Sequence, residues 1–173
     1  MKSIFTGMLL VFLNFNLDIG AMRIGFIPTF LGYISMVRGL SELAGLSSQF
    51  SRVMPFSKGM IAYSAICYAM DLLGISSLLG VPVSFTLGLI TTIVSLFISH
   101  GIILGIRDIE TTRAQNLNSE QLYSTWKLLA VFSLITYMLF LVPVLAVVSI
   151  IVSFIIGIYY LFVFNKTKNL FYD

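Results

Sequence analysis

Residues able to do chemistry are sparse in this chain, and most of them sit inside or beside apolar runs. Asn14, Asn16, Asp18 and Arg23 follow the first apolar run closely, and Asp71 lies within a later one. A carboxylate at membrane depth costs several kcal/mol unless it is paired, hydrated or protonated, so an acid in such a place points to a site. Tyr63, Cys67 and Asp71 recur at four-residue spacing, which puts neighbouring members on one side of a helix, and Tyr68 precedes the acid by three. The chemistry such a set offers is recognition of a polar solute or a lipid headgroup. Asn14, Asn16, Asp18, Arg23, Tyr63 and Asp71 are the expected lining of an outward-facing pocket, with Asp71 and Arg23 as its charged poles. The plainer alternative ends that helix near Leu73 and leaves Asp71 as an interfacial carboxylate, partnered by Arg23 or by water.

His100 is the single histidine. Its ordinary pKa suits a proton switch. No acid stands at helical spacing from it inside the apolar run, so the competing reading is a packed or interfacial ring. One histidine and one cysteine, Cys67, on different helices fall short of a metal ligand set, and no cofactor signature is present. Gly-x-Ser-x-Gly, His-Glu-x-x-His and phosphate-loop patterns are all missing from the sequence. Glu42, Glu110 and Glu120 map to polar connecting segments as solvated charges. Enzyme activity is not expected.

The elements that must position these residues follow from composition. Of 173 residues, 58% are hydrophobic and 10% charged, with mean hydropathy +1.02. Ordinary soluble domains carry about 25% charged residues. Too few polar side chains remain to clothe a soluble surface of this size, so lipid must solvate much of the exterior. Disorder, nucleic-acid binding and a disulfide scaffold are excluded together, the last because there is one cysteine.

A hydrocarbon core of about 30 Å takes roughly 20 helical residues. Six segments qualify, over about Ser3 to Leu17, Ile24 to Val37, Gly59 to Leu73 or Leu79, and Val83 to Ile106, with two more in Trp126 to Phe164 divided at Pro143. The undivided last stretch would rise about 58 Å, so it must turn back, and Pro143 is its helix breaker. Lys2 with the run after it mimics a secretion signal, but NFNLDIGAM beyond it lacks a clean small-x-small site, and a first span is the better reading. The first two spans are short enough that a re-entrant hairpin competes with two full crossings.

With the N-terminus inside, Lys2, Arg38, Arg52, Lys58, Arg107, Arg113, Lys127, Lys166 and Lys168 all fall on the cytoplasmic side, and Arg23 alone falls outside. The expectation is an all-α, polytopic bundle of six transmembrane spans, both termini cytoplasmic, forming one domain over residues 1–173 of a bacterial plasma membrane. Gly39 to Ser57 and Arg107 to Thr125 are the cytoplasmic loops, and Asn118 with Gln121 makes a capping-box pattern ahead of the fifth span. On span four, Gly88 and Thr92, then Thr91, Ser95 and Ser99, form small-residue stripes suited to close helix packing, within the chain or against a second copy or a protein partner.

Residues Leu17 to Leu43 read LDIGAMRIGFIPTFLGYISMVRGLSEL, with Pro28, Phe30, Gly32 and Tyr33 ahead of an apolar run that ends in Gly39, Leu40 and Leu43. Over these 27 residues the chain resembles a group of uncharacterised small multi-pass membrane proteins of Gram-positive bacteria. The resemblance implies a multi-pass fold and brings no activity. Thr29 stands where an acid often follows the proline in that group. Size and span count are also similar to the substrate-binding subunits of energy-coupling-factor vitamin transporters, although Ser3 to Leu17 lacks their Ala-x-x-x-Ala docking motif. Two functions follow as expectations: binding or transport of a small solute or lipid, and a non-transporting partner role as sensor, immunity or assembly factor.

Overall fold

The computed structural model describes the backbone of residues 1–12, 16–19, 22–25, 28–75, 80–139 and 142–172, and the side chains of these except 16–19, 22–25, 81 and 143. Six helices carry the fold: α1 (Lys2–Phe12), α2 (Thr29–Leu43), α3 (Ser48–Leu72), α4 (Gly80–Arg113), α5 (Ser119–Met138) and α6 (Pro143–Tyr172). Between α1 and α2 lies a two-stranded antiparallel hairpin, β1 (Asn16–Ile19) and β2 (Met22–Gly25). Apart from that hairpin the described chain is helical, as the composition leads one to expect.

Each helix packs on its neighbours in the chain, and α1 closes the circle on α6. The ends of the chain meet: the Met1 ammonium donates to the Tyr172 hydroxyl at 3.3 Å, with Phe5 stacked on Phe164 at 6.2 Å. The core runs through the ring from Ile4, Met8 and Tyr33 to Ile102, Ile106 and Tyr160, all at most 1% exposed.

Three sequence expectations are corrected here. Residues given to the ends of spans one and two form strands. Asn16 and Asp18 are poor helix formers, since their side chains compete for backbone hydrogen bonds, and a polar-apolar alternation through Ile19 suits a strand. The segment around Pro55, read as loop, is helix: α3 starts at Ser48, where the Ser47 hydroxyl accepts from the Gln49 N–H at 3.2 Å. Proline in a helix interior forfeits a hydrogen bond. Here buried Phe50 and Val53 pin the turns before it against α4. Lastly, Asn118 does not cap α5 as a capping box would. Its φ is 62°, its side chain donates to Gln121 Oε1 at 2.6 Å, and Glu110 Oε2 at the end of α4 accepts from the Ser119 N–H at 3.1 Å.

Helices α4 and α6 contain the segments Pro82–Arg113 and Val144–Tyr172, which are long and apolar enough to cross a membrane. Around the bundle, large apolar side chains face outward on α3, α4, α5 and α6, with Met138 79% exposed, Val144 74% and Leu72 71%. Soluble monomers rarely expose contiguous apolar patches beyond a few hundred Å².

Candidate functional site: a cleft between α3 and α4

The arrangement of α3 and α4 follows from where the glycines lie. Gly101 and Gly105 on α4 receive Val53 and Phe50 of α3; a Cβ on Gly105 would come within 2.6 Å of the Phe50 ring. The two helices therefore touch closely at that end. Phe56 then meets Phe97 edge-on at 4.8 Å between ring centroids. One turn further along α3 comes Gly59, and nothing stands within 4 Å of where its Cβ would be. With no side chain to fill the interval, the helices leave a cleft of about 420 Å³, within the range of small-molecule sites.

Pro55, Phe56, Gly59, Met60 and Tyr63 form its α3 wall, and Ile90, Thr91 and Val94 its α4 wall. The walls are almost wholly apolar. Polar atoms enter at one end, where the Tyr63 hydroxyl lies beside the Thr91 and Cys67 side chains. Thr91 Oγ1 also donates to the Leu87 carbonyl of its own helix at 2.8 Å, which keeps it satisfied away from water. Exposed Ile90, Ile93 and Phe97 join the cleft to the apolar outer surface of α4.

Thr91 belongs to a series of hydroxyls that α4 presents turn by turn. Thr92 Oγ1 donates to the Gly88 carbonyl at 3.0 Å, so its 2.8 Å contact with Tyr137 of α5 uses the tyrosine proton. Ser95 pairs with the buried Tyr33 hydroxyl of α2 at 2.7 Å. Ser99 donates to the Leu96 carbonyl at 3.0 Å and accepts from Trp126 Nε1 at 3.0 Å. The small-residue stripes of this helix are thus occupied from within the chain, by aromatic side chains whose polar tips they satisfy. Tyr33, Tyr137 and Trp126 were absent from the sequence-derived site. Their signal was the excess of Thr and Ser at helical spacing on one apolar helix, which demands polar partners as well as close approach.

The structure disperses the site residues picked from sequence. Tyr63 lines the cleft. Asp71 is exposed in the last turn of α3, two helical turns beyond Tyr63. Tyr68, one turn before it, packs edge-on against Phe30 of α2 at 5.8 Å, which places the start of α2 beside that end of α3. Asp18 and Arg23 are register partners across the hairpin, and Asn16 is opposite Gly25. Asn14 lies outside the described residues, and so do the side chains of Asn16, Asp18 and Arg23.

His100 is half-buried in an aromatic stack, 4.6 Å from the Trp126 ring and 5.9 Å from Tyr123, with Lys127 over Tyr123 at 4.9 Å. Such rings gather at membrane interfaces. Among the described residues no group of three His, Cys, Asp or Glu side chains is placed to hold a metal ion. No protein-family model, no curated protein and no solved structure matches this chain.

Proposed function

We propose that the chain is a multi-pass protein of a bacterial plasma membrane, crossing it six times with both termini in the cytoplasm, and that it binds a lipid-like amphiphile in the cleft between α3 and α4. The observation that carries the ligand reading is a cleft with apolar walls, continuous with an apolar outer surface and left unfilled because α3 has glycine at position 59. A small polar solute would gain little in such walls. An acyl or isoprenoid chain gains burial along the cleft, so of the two ligand classes expected from the sequence the lipid is favoured.

The topology rests on the meeting of Met1 with Tyr172, which suits an even number of crossings, and on the bias of basic residues toward that end. Helix α1 rises only about 16 Å and α2 about 22 Å. The open edges of a two-stranded hairpin would leave backbone groups unpaired in hydrocarbon, so the hairpin belongs at the outer interface and α1 and α2 make the first two crossings as short legs. Protein-partner and transport roles are not required by this reading.

The test is lipid retention by purified protein. Wild type in mild detergent should carry tightly held lipid detectable by native mass spectrometry, and Gly59→Leu, which fills the cleft, should lose it while still unfolding in one cooperative transition. Equal lipid content in both proteins would sink the ligand reading. Cysteine labelling that finds the two termini on opposite faces would sink the topology.

A further inference from the structure

The two ends of the cleft differ in charge. Arg52 precedes Gly59 by seven residues, about two helical turns, so it stands on the same flank of α3 with Phe56 between them. It is exposed, about 10 Å from Gly59 toward the turn that joins α2 to α3. Beyond the other end, past Tyr63 and Cys67, comes exposed Asp71. Along one helix the order is therefore a guanidinium, an apolar void, a satisfied hydroxyl pair and a carboxylate.

Among the described residues Arg52 has no ion-pair or hydrogen-bond partner. Of the charged groups around it, Asp108 of α4 accepts from the Ser47 hydroxyl at 2.6 Å, and Lys58 and Arg107 are exposed cations on the same end of the bundle. Lys58 lies about 100° round the helix from Gly59 on the side away from Met60 and Tyr63, off the cleft flank. A guanidinium free to present two N–H donors is suited to a phosphate.

On the lipid-binding reading given above, we infer that the occupant is a phosphate-bearing lipid of the inner leaflet, its acyl chain in the α3/α4 cleft and its phosphate on Arg52. The other end of the cleft offers phosphate no cation on α3: the next charged side chain past Tyr63 is Asp71, a carboxylate. The Phe56 and Phe97 rings form the sill over which the chain turns from headgroup to cleft. Tyr63 meets the far part of the chain with its ring, since its hydroxyl is engaged by neighbours.

The experiment titrates detergent-solubilised protein with dioleoylphosphatidylglycerol, with dioleoylglycerol, which has the same chains and no phosphate, with inorganic phosphate, and with dodecylamine, following thermal unfolding. Wild type should bind the phosphatidyl lipid roughly tenfold more tightly than the diacylglycerol. Arg52→Gln should bring the two lipids level, Lys58→Gln should keep the preference, and Gly59→Leu should abolish binding of both. If Arg52→Gln keeps the preference, or Lys58→Gln removes it equally, the phosphate is not on Arg52; sensitivity to Gly59→Leu would still uphold a lipid in the cleft. If Gly59→Leu binds both lipids as wild type does, the cleft reading itself fails. Stabilisation by inorganic phosphate that depends on Arg52 would mean a free-anion site instead. Dodecylamine binding that is lost in Asp71→Asn and competes with the phosphatidyl lipid would overturn the orientation.

Discussion

Helices α1 and α2 form a closed pair, while α3 and α4 form an open one, and glycine placement separates them. On the first pair Gly7 faces Gly32 and Met36 while Gly39 faces Ile4, so backbone meets backbone or side-chain stem along the whole contact. The Ser35 hydroxyl adds a bond to the Ser3 carbonyl at 2.9 Å. On the second pair the α4 glycines that meet α3 are Gly101 and Gly105, both at one end, and Gly59 of α3 has nothing within 4 Å of where its Cβ would be. The same residue type that draws two helices together leaves a void where its partner surface is not brought in to meet it.

The sharpest way to break this contrast is to add one methyl group on each side of it. At Gly7 a Cβ would stand 2.6 Å from the Gly32 carbonyl oxygen and 2.7 Å from the Met36 nitrogen, both backbone atoms that cannot swing away. Gly7→Ala should cost about 3 kcal/mol, the upper part of the range for overpacking, read as a large drop in unfolding temperature in detergent. An unchanged temperature would mean that the α1/α2 contact is looser than drawn. Gly105→Ala should cost less, about 1 to 2 kcal/mol, because its neighbour is the Phe50 ring, and a ring can shift. Pairing it with Phe50→Leu should recover part of the loss, and failure to recover any would show that the ring is not the obstacle.

Much of this was readable in the sequence, and the reasons for the remainder are specific. Apolar run lengths and Pro143 located the apolar middles of α4, α5 and α6 and the start of α6, but not their polar ends. Helix α4 runs on to Arg113 and α5 begins at Ser119, both inside the segment Arg107 to Thr125 read as loop, and α6 continues past Phe164 to Tyr172. The α3 start was missed because Pro55 and the serines read as loop, whereas burial of Phe50 and Val53 against α4 overrides local propensity. The hairpin had a signal: Gly20 and Ala21 are the two residues between the strands, and glycine first is the preferred sequence of one two-residue connection. Tyr63 was identified by its spacing with Cys67 and Asp71, yet the cleft it lines depends on Gly59, and an absent side chain gives no periodic pattern. Gly101 and Gly105 do form a Gly-x-x-x-Gly, and reading it would have located the close end of α3 and α4.

The hydroxyl series on α4 sharpens the comparison on its other flank, where packing is completed by aromatic tips instead of glycine contact. Tyr137→Phe removes the proton given to Thr92 but keeps the ring that packs on Phe85 at 5.4 Å and lies over Gly88. Because Thr92 already donates to the Gly88 carbonyl, the loss leaves one acceptor lone pair unmet and no buried donor stranded. Hydrogen bonds of this kind between membrane helices average about 0.6 kcal/mol, so the drop in stability should be of that order.

The effect at Gly59 itself is of similar small size and opposite in sign, and the sign decides the matter. Exchanging glycine for alanine in a helix interior removes about 0.5 to 1 kcal/mol of backbone entropy cost when the new methyl group meets no obstacle. Nothing lies within 4 Å at this position, so Gly59→Ala should raise the unfolding temperature slightly, where the same exchange at Gly7 lowers it steeply. Measured side by side in one detergent, opposite signs at the two glycines would separate the open pair from the closed one. A loss of stability at Gly59 would mean that the two helices approach each other there and that the cleft does not persist in the membrane.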